Sequence, residues 1–271
     1  MNVNFNRIKM VLALLLLTSA FNACVRERDT DTEQASDSAF GDFVYENAFS
    51  IAEDAATKNT GENLSNYKTT GYCATLTHDK VSNPRTITID FGAVNCLCND
   101  NRNRRGKILV TYTGNFSDSN ETVTLNFDQY YVDDNAIFGT ATIYNMGLNV
   151  DSHPYSTFIT DGKFLKVGTL DTVYWTGDRV RTIVQGSDTP VWGDDVYEYV
   201  GTGTGKGAYK SYYAMNITEP LRKTMDCRYF TSGKVELQPQ GKALRVMNYG
   251  NGECDDDATV IINNKSFNIK L

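Results

Sequence analysis

The chain has 271 residues, a formal net charge of −7 and a hydrophobic content of 41%. This length is enough for one large domain or two small ones. The acidic balance argues against nucleic acid and against anionic lipid head groups as partners, because both carry negative charge.

The first 23 residues have the order of a secretory signal. Arg7 and Lys9 precede an apolar run, Met10–Leu17, and a short stretch of small and polar residues follows. The apolar run is far shorter than the about 20 residues that a membrane-spanning helix needs. We therefore expect residues 1–23 to be removed on export.

The end of this segment is similar to a bacterial lipobox, in which a small residue precedes a cysteine that becomes lipidated. Ala23 and Cys24 fit the pattern, whereas Phe21 and Asn22 stand where Leu and a smaller residue are usual. The resemblance implies lipid attachment at Cys24 and a stable anchor at the outer membrane, facing the periplasm or the cell surface. Soluble secretion after Ala20 is the alternative.

Residues 24–38 are polar and charged after the cysteine and contain no aromatic side chain. Such a composition cannot bury enough apolar surface to become ordered. We therefore predict a flexible tether here, with residues 39–271 forming a single β-rich domain.

A helical pattern occupies residues 39–57. Its apolar side chains recur at spacings of three and four, and Glu46, Glu53 and Asp54 lie off the stripe. The stripe consists of Phe40, Phe43, Val44, Ala48, Ile51, Ala52 and Ala55. The pattern predicts an amphipathic helix that packs on a face of the following sheet.

From about Cys73 onward the apolar pattern has a period of two, as in Ile87, Ile89 and Phe91. Such alternation is typical of strands with one buried face. Turn signals recur every eight to twelve residues or so, and short connections favour antiparallel neighbours. We predict a mainly β fold: an antiparallel meander of about a dozen strands, curled or closed, with the N-terminal helix packed on it.

A repeated element links the two ends of the predicted sheet. Residues 90–96 and residues 248–254 both carry an aromatic residue, a glycine, three further residues and a cysteine. Each cysteine also has another one upstream, across a predicted hairpin of similar length.

This repeat predicts the disulfides Cys73–Cys96 and Cys227–Cys254 and leaves Cys98 as the odd thiol. An exported protein meets an oxidising compartment, which favours disulfides over metal sites for such cysteines. The pairing Cys73–Cys98 is the competing arrangement, because Cys96 and Cys98 are close in sequence.

Three segments resemble a group of uncharacterised Bacteroidetes cell-envelope lipoproteins. They are ITIDFGAVNCLCNDNRNRRGKILVTYTG at residues 87–114, GDDVYEYVGTGTG at 193–205 and YGNGECDDDATVIIN at 249–263. The resemblance covers roughly residues 40–271. It implies lipidation at Cys24 and a β-rich exported domain, and it implies no activity.

Few residues are candidates for catalysis or metal binding. His78 and His153 are the two histidines, and neither has a second ligand at zinc spacing or a nucleophile motif beside it. We expect both to lie in loops and neither to be catalytic. Asp255–Asp257 is the best of several weak candidates for a calcium site, although solvated turns are the preferred interpretation of these acidic clusters. We expect no cofactor.

Aromatic residues occur at alternating and adjacent strand positions, so some rings are expected to face solvent. Tyr174, Trp175 and Trp192 are the predicted platform for a ligand. The favoured function is a lipid-anchored, non-catalytic envelope protein that binds a glycan, a lipid or a protein. The alternatives are a structural envelope protein and, less favoured, a polysaccharide or peptidoglycan hydrolase.

Overall fold

A computed structural model describes residues 29–60, 73–116, 118–169, 171–189, 192–207 and 211–271. Within it, Asp31–Leu271 forms one compact unit. Cys24 and the predicted signal lie outside the described residues. Among the helices in the described ranges, none is long and apolar enough to cross a membrane.

The described chain begins with one long helix, α1 (Glu33–Ala56), and continues as a run of strands with one 3₁₀ turn, Trp192–Asp194. The strands are β1 (Thr75–Asp79), β2 (Arg85–Asp90), β3 (Cys96–Leu97), β4 (Asn103–Tyr112), β5 (Thr122–Val132), β6 (Asn135–Leu148), β7 (Pro154–Leu165), β8 (Thr172–Gln185), β9 (Val196–Lys206), β10 (Tyr212–Thr224), β11 (Ser232–Pro239), β12 (Arg245–Asn251), β13 (Asp257–Ile262) and β14 (Lys265–Lys270).

The strands form one antiparallel meander in which sequence neighbours pair throughout, except that β2 pairs with β4. The short strand β3 pairs only with β4 and lies off the main path. The sheet is not closed, and β1 and β14 are its two edges. The predicted mainly β meander with one helix is confirmed, and of the two predicted shapes the open, curled one is present.

Helix α1 lies inside the curl of the sheet. It contacts β2, β4, β5, β7 and β8, and its side chains also bond to residues of β9 and β10. Most of its residues are buried, on all sides of the helix. The sheet must therefore wrap round the helix, which is more enclosed than the amphipathic surface helix predicted.

The helix begins six residues earlier than the predicted boundary. The prediction of a flexible tether at residues 24–38 is therefore wrong for residues 33–38, which are helical. Gln34, Asp37 and Ser38 are buried in α1. Gln34 donates to Ser211 Oγ at 2.7 Å, and Asp37 accepts from Lys166 Nζ at 2.9 Å. Composition alone predicts that these polar residues are exposed to solvent. They are buried because the rest of the chain supplies hydrogen-bonding and charged partners for them.

The middle of the helix is fixed against the sheet by aromatic rings that lie on glycines. Trp175 stacks on Tyr45 with 5.5 Å between ring centroids, and a side chain at Gly41 would collide with the indole. The Tyr45 hydroxyl donates to the carbonyl of Phe138 at 2.8 Å, and it lies where a side chain at Gly162 would be. These contacts explain why glycine is needed on the helix and on β7.

Both predicted disulfides are present. Cys73 and Cys96 have Cα atoms 5.6 Å apart, and Cys227 and Cys254 have Cα atoms 5.7 Å apart. Cys98 is the free thiol and is buried. One bridge therefore joins two segments near the first strands, and the other joins two segments near the last strands, as the repeat predicts.

Candidate functional site

Acidic residues of the helix meet basic residues of the sheet along the interior. Asp42 is 3.1 Å from Arg179 on β8, and Glu46 is 3.1 Å from Lys223 on β10. The third pair joins Glu53 to Arg181 on β8, 2.7 Å apart. We call these three the helix–sheet ion pairs. Their acids lie at spacings of four and seven, which places them on one face of the helix, towards β8–β10.

Glu46 is the most completely satisfied of these acids. One oxygen accepts from Ser50 at 2.9 Å and from Tyr199 at 3.1 Å, while the other faces the Lys223 ammonium. Burial raises the pKa of Tyr199, so its hydroxyl stays protonated and donates. A buried carboxylate held this way is a structural group rather than a proton donor for a substrate.

Arg181 is held on three sides. Its two terminal nitrogens donate to the two oxygens of Glu53 at 2.9 and 2.7 Å, and its Nε donates to Tyr199 at 3.1 Å. The guanidinium also lies 3.7 Å from the centroid of the Tyr197 ring. Burial raises the pKa of Glu53, and the bidentate pair with Arg181 acts in the opposite direction.

A cleft of about 260 Å³ opens beside this pair, at the C-terminal half of the helix. It lies between the β6–β7 hairpin, the β4–β5 connection and the end of β8. The residues that line it are Phe49, Glu53, Phe116, Ser119, Asn145, Gly147, Leu148, Pro154, Tyr155, Ser156, Arg181 and Ile183.

The cleft combines apolar walls with a few polar groups. Phe49 and Phe116 stack with 6.1 Å between centroids and form one wall, and Leu148 extends it as an exposed lip. Glu53 and Arg181 place one negative and one positive charge in fixed positions, so that their charges balance. Ser119 and Ser156 add hydroxyl groups. This composition suits a small uncharged ligand that has both an apolar face and hydroxyl groups.

Comparison with known proteins identifies no relative. The chain matches no protein-family model, no curated protein and no solved structure.

The predicted platform of Tyr174, Trp175 and Trp192 is not a single surface. Tyr174 is exposed on the outer face of β8, but Trp175 is buried against the helix. Successive residues of a strand point to opposite faces, so adjacent rings cannot share one platform. The side chain of Trp192 lies outside the part of the chain that the structure describes.

His78 lies on β1 rather than in the predicted loop, whereas His153 is in the β6–β7 connection. His78 is buried, with Nε2 at 2.6 Å from the Tyr112 hydroxyl and Nδ1 at 2.8 Å from the Lys58 carbonyl. Burial lowers its pKa. Both ring nitrogens are engaged in holding β1 to its neighbours, which is a structural arrangement.

Two of the three acids in the run Asp255–Asp257 pair with one lysine. Lys270 Nζ lies 2.6 Å from Asp256 and 2.8 Å from Asp257. Across the described ranges, no three His, Cys, Asp or Glu residues are grouped so as to hold a metal ion.

The pH dependence of stability tests whether Asp42 is as buried as the structure shows. Burial raises the pKa of Asp42, and Arg179 opposes this rise. A carboxyl group with a raised pKa stabilises the fold when protonated, and this contribution is lost as pH rises through the folded-state pKa. The free energy of unfolding should therefore increase more from pH 7 to pH 5 in the wild type than in Asp42→Asn.

Urea denaturation at the two pH values measures this difference. Asp37, Glu53 and Asp195 also have raised pKa values, and His78 has a lowered one, but these groups are common to both proteins. An equal change in the two proteins would mean that Asp42 is more solvated than its position indicates.

Proposed function

We propose that the chain is a lipid-anchored, non-catalytic protein of the cell envelope that holds a short, uncharged saccharide in the cleft beside Arg181. One observation carries this proposal: the cleft combines the aromatic wall of Phe49 and Phe116 with the rigid, charge-balanced ion pair of Glu53 and Arg181. A sugar ring presents an apolar CH face and several hydroxyl groups, so it matches both surfaces at once.

The state of Glu53 favours binding over hydrolysis. Glycoside hydrolysis uses two carboxyl groups that flank the scissile bond. Among the described residues that line the cleft, Glu53 is the one carboxylate, and both of its oxygens bind Arg181. A carboxylate committed in this way can accept hydrogen bonds from a ligand but is poorly placed to transfer a proton.

The position of the cleft fits an anchor at the other end of the helix. Glu53 follows Glu33, the first helical residue, by twenty residues, which corresponds to about 30 Å along the axis. The chain that leads from an anchor at Cys24 would thus join the described helix at the end opposite the cleft.

Binding is tested with a glycan array probed by the full chain, followed by titration of the oligosaccharides that bind. Tyr155→Ala should weaken binding about fivefold, because one ring contact contributes on the order of 1 kcal/mol. Tyr144→Ala, an exposed tyrosine of β6 that does not line the cleft, is the matched control and should bind like the wild type. Equal affinity of the wild type and Tyr155→Ala for every oligosaccharide would contradict the proposal.

The anchor is tested separately. Mass spectrometry of the N-terminal peptide from native membranes should show a diacylated or triacylated Cys24, and Cys24→Ser should release the protein from the membrane fraction. A mature protein that begins at Phe21 with unmodified Cys24 would exclude lipidation.

A further inference from the structure

Five side chains, four of them exposed and one half-buried, form a straight row across the outer face of the sheet, on strands β6 to β10. We call it the aromatic–lysine row, and its members are Phe138, Lys163, Tyr174, Lys206 and Tyr212. Each is the direct cross-strand partner of the next, without a break in register. The three rings are 41%, 47% and 55% exposed in that order.

The lysines lie between the rings and contact them. Lys163 Nζ is 5.6 Å from the Phe138 centroid, and Lys206 Nζ is 5.4 Å from the Tyr174 centroid and 5.1 Å from the Tyr212 centroid. These distances allow cation–π attraction. In the described ranges, neither ammonium lies within ion-pair distance of a carboxylate. The row therefore offers two available positive charges on a protein that is acidic as a whole.

The surface next to the row is shallow and carries hydroxyl groups. The positions two residues further along three of the strands are Thr176, Thr204 and Ala214, again in direct register. The hydroxyls of Thr176 and Thr204 are 2.8 Å apart, and both side chains reach solvent. On β8 to β10 these small side chains leave room for a ligand that lies flat across the strands and forms hydrogen bonds beside the row. The corresponding position on β7 is the exposed Asp161, directly opposite Thr176.

We propose that the aromatic–lysine row binds an extended acidic polysaccharide that runs across the strands. Neighbouring strands are about 4.8 Å apart, so successive rings are about 10 Å apart and the whole row spans about 20 Å. A spacing of this size is close to the length of a disaccharide unit. Sugar rings would pack against Phe138, Tyr174 and Tyr212, and sugar carboxylates would face Lys163 and Lys206.

A membrane surface is the competing occupant, because the row lies near the start of the helix. Tyr212 follows Ser211, which accepts a hydrogen bond from Gln34 in the first turn of α1. The shape of the surface favours the polysaccharide. The sheet curls round the helix, so its outer face is convex, and a chain can follow that curvature where a flat bilayer cannot.

The aromatic–lysine row is separate from the cleft, and the proposal for the row does not depend on the function proposed for the cleft. The test uses the full chain in a non-ionic detergent and native affinity electrophoresis. The probes are polygalacturonate, alginate and hyaluronate, with fully methyl-esterified polygalacturonate as the uncharged counterpart. Vesicles of equimolar phosphatidylcholine and phosphatidylglycerol test the membrane alternative.

We expect at least one acidic polymer to retard the protein and the methyl ester to do so much less. Tyr174→Ala and Tyr212→Ala should each weaken binding about tenfold. Lys163→Gln combined with Lys206→Gln should abolish the preference for the acidic polymer and reduce the salt dependence of binding.

Two control variants remove exposed side chains elsewhere on the sheet. Tyr144→Ala on β6 and Lys265→Gln on β14 remove exposed side chains outside the row and should leave polymer binding unchanged. Tyr155→Ala should likewise retain it, which separates this site from the cleft.

Three results would overturn the proposal: no row-dependent binding to any acidic polymer, equal binding of the methyl ester, or row-dependent binding to vesicles but not to polymers. Far-UV circular dichroism of each variant verifies that a lost interaction is not a lost fold.

Discussion

Glu46→Gln is expected to lower the free energy of unfolding by about 3–5 kcal/mol, because it leaves a buried charge without its partner. Glutamine keeps the size of the side chain and can still accept from Ser50 and Tyr199. The change therefore isolates the loss of charge opposite Lys223, which is buried with Glu46. Urea denaturation followed by tryptophan fluorescence measures the effect.

The double variant Glu46→Gln with Lys223→Met should recover most of this loss. With both charges removed, the interior no longer holds an uncompensated ion, and such replacements are often nearly neutral. Glu219→Gln is the surface control: Glu219 pairs with Lys234 at 2.6 Å, but both side chains are exposed, so its loss should cost under about 1 kcal/mol. If the single and double variants were equally destabilised, charge pairing would not be the cause.

The strands and disulfides were predictable because their signals are local. Alternation such as that of Ile87 and Ile89 fixes which residues of one strand share a face, and both are buried. The disulfides required only the aromatic-Gly-Cys repeat and the count of cysteines. Short connections then implied sequence neighbours, and the sheet follows that order apart from the small strand β3.

The start of the helix was not predictable from composition. Gln34, Asp37 and Ser38 look like solvated residues, and their burial depends on partners more than 120 positions away in the chain. A polar segment becomes part of a core only when another segment supplies matching groups. No property of residues 33–38 alone reports that match.

The two candidate binding surfaces depend on pairing register, which the sequence does not show. The aromatic–lysine row exists because Tyr174 lies directly opposite both Lys163 and Lys206. A shift of one residue in either pairing would move the lysine to the other face of the sheet. The cleft likewise requires the end of β8 and the helix to meet the β6–β7 hairpin, so its residues come from distant segments.

Trp175→Ala is expected to destabilise the fold by about 3–5 kcal/mol, because it empties a large volume of the core. The indole is 2% exposed and fills the space between Tyr45 and Gly41 on the helix. Its loss removes the stacking partner of Tyr45. The cavity stays empty because Gly41 has no side chain to fill it. Urea denaturation followed by far-UV circular dichroism is the appropriate measurement, since this variant lacks the core tryptophan.

Tyr174→Ala, one residue away, should change the free energy of unfolding by no more than about 0.5 kcal/mol, because its ring lies on the solvent side of β8. The same substitution should weaken polysaccharide binding about tenfold. The sequence-based prediction gave both neighbours to a ligand platform. In the structure Trp175 holds the helix in the sheet, and Tyr174 is available to a ligand. A large stability loss in Tyr174→Ala, with little loss in Trp175→Ala, would mean that β8 presents the opposite face to the helix, and the aromatic–lysine row would then be buried.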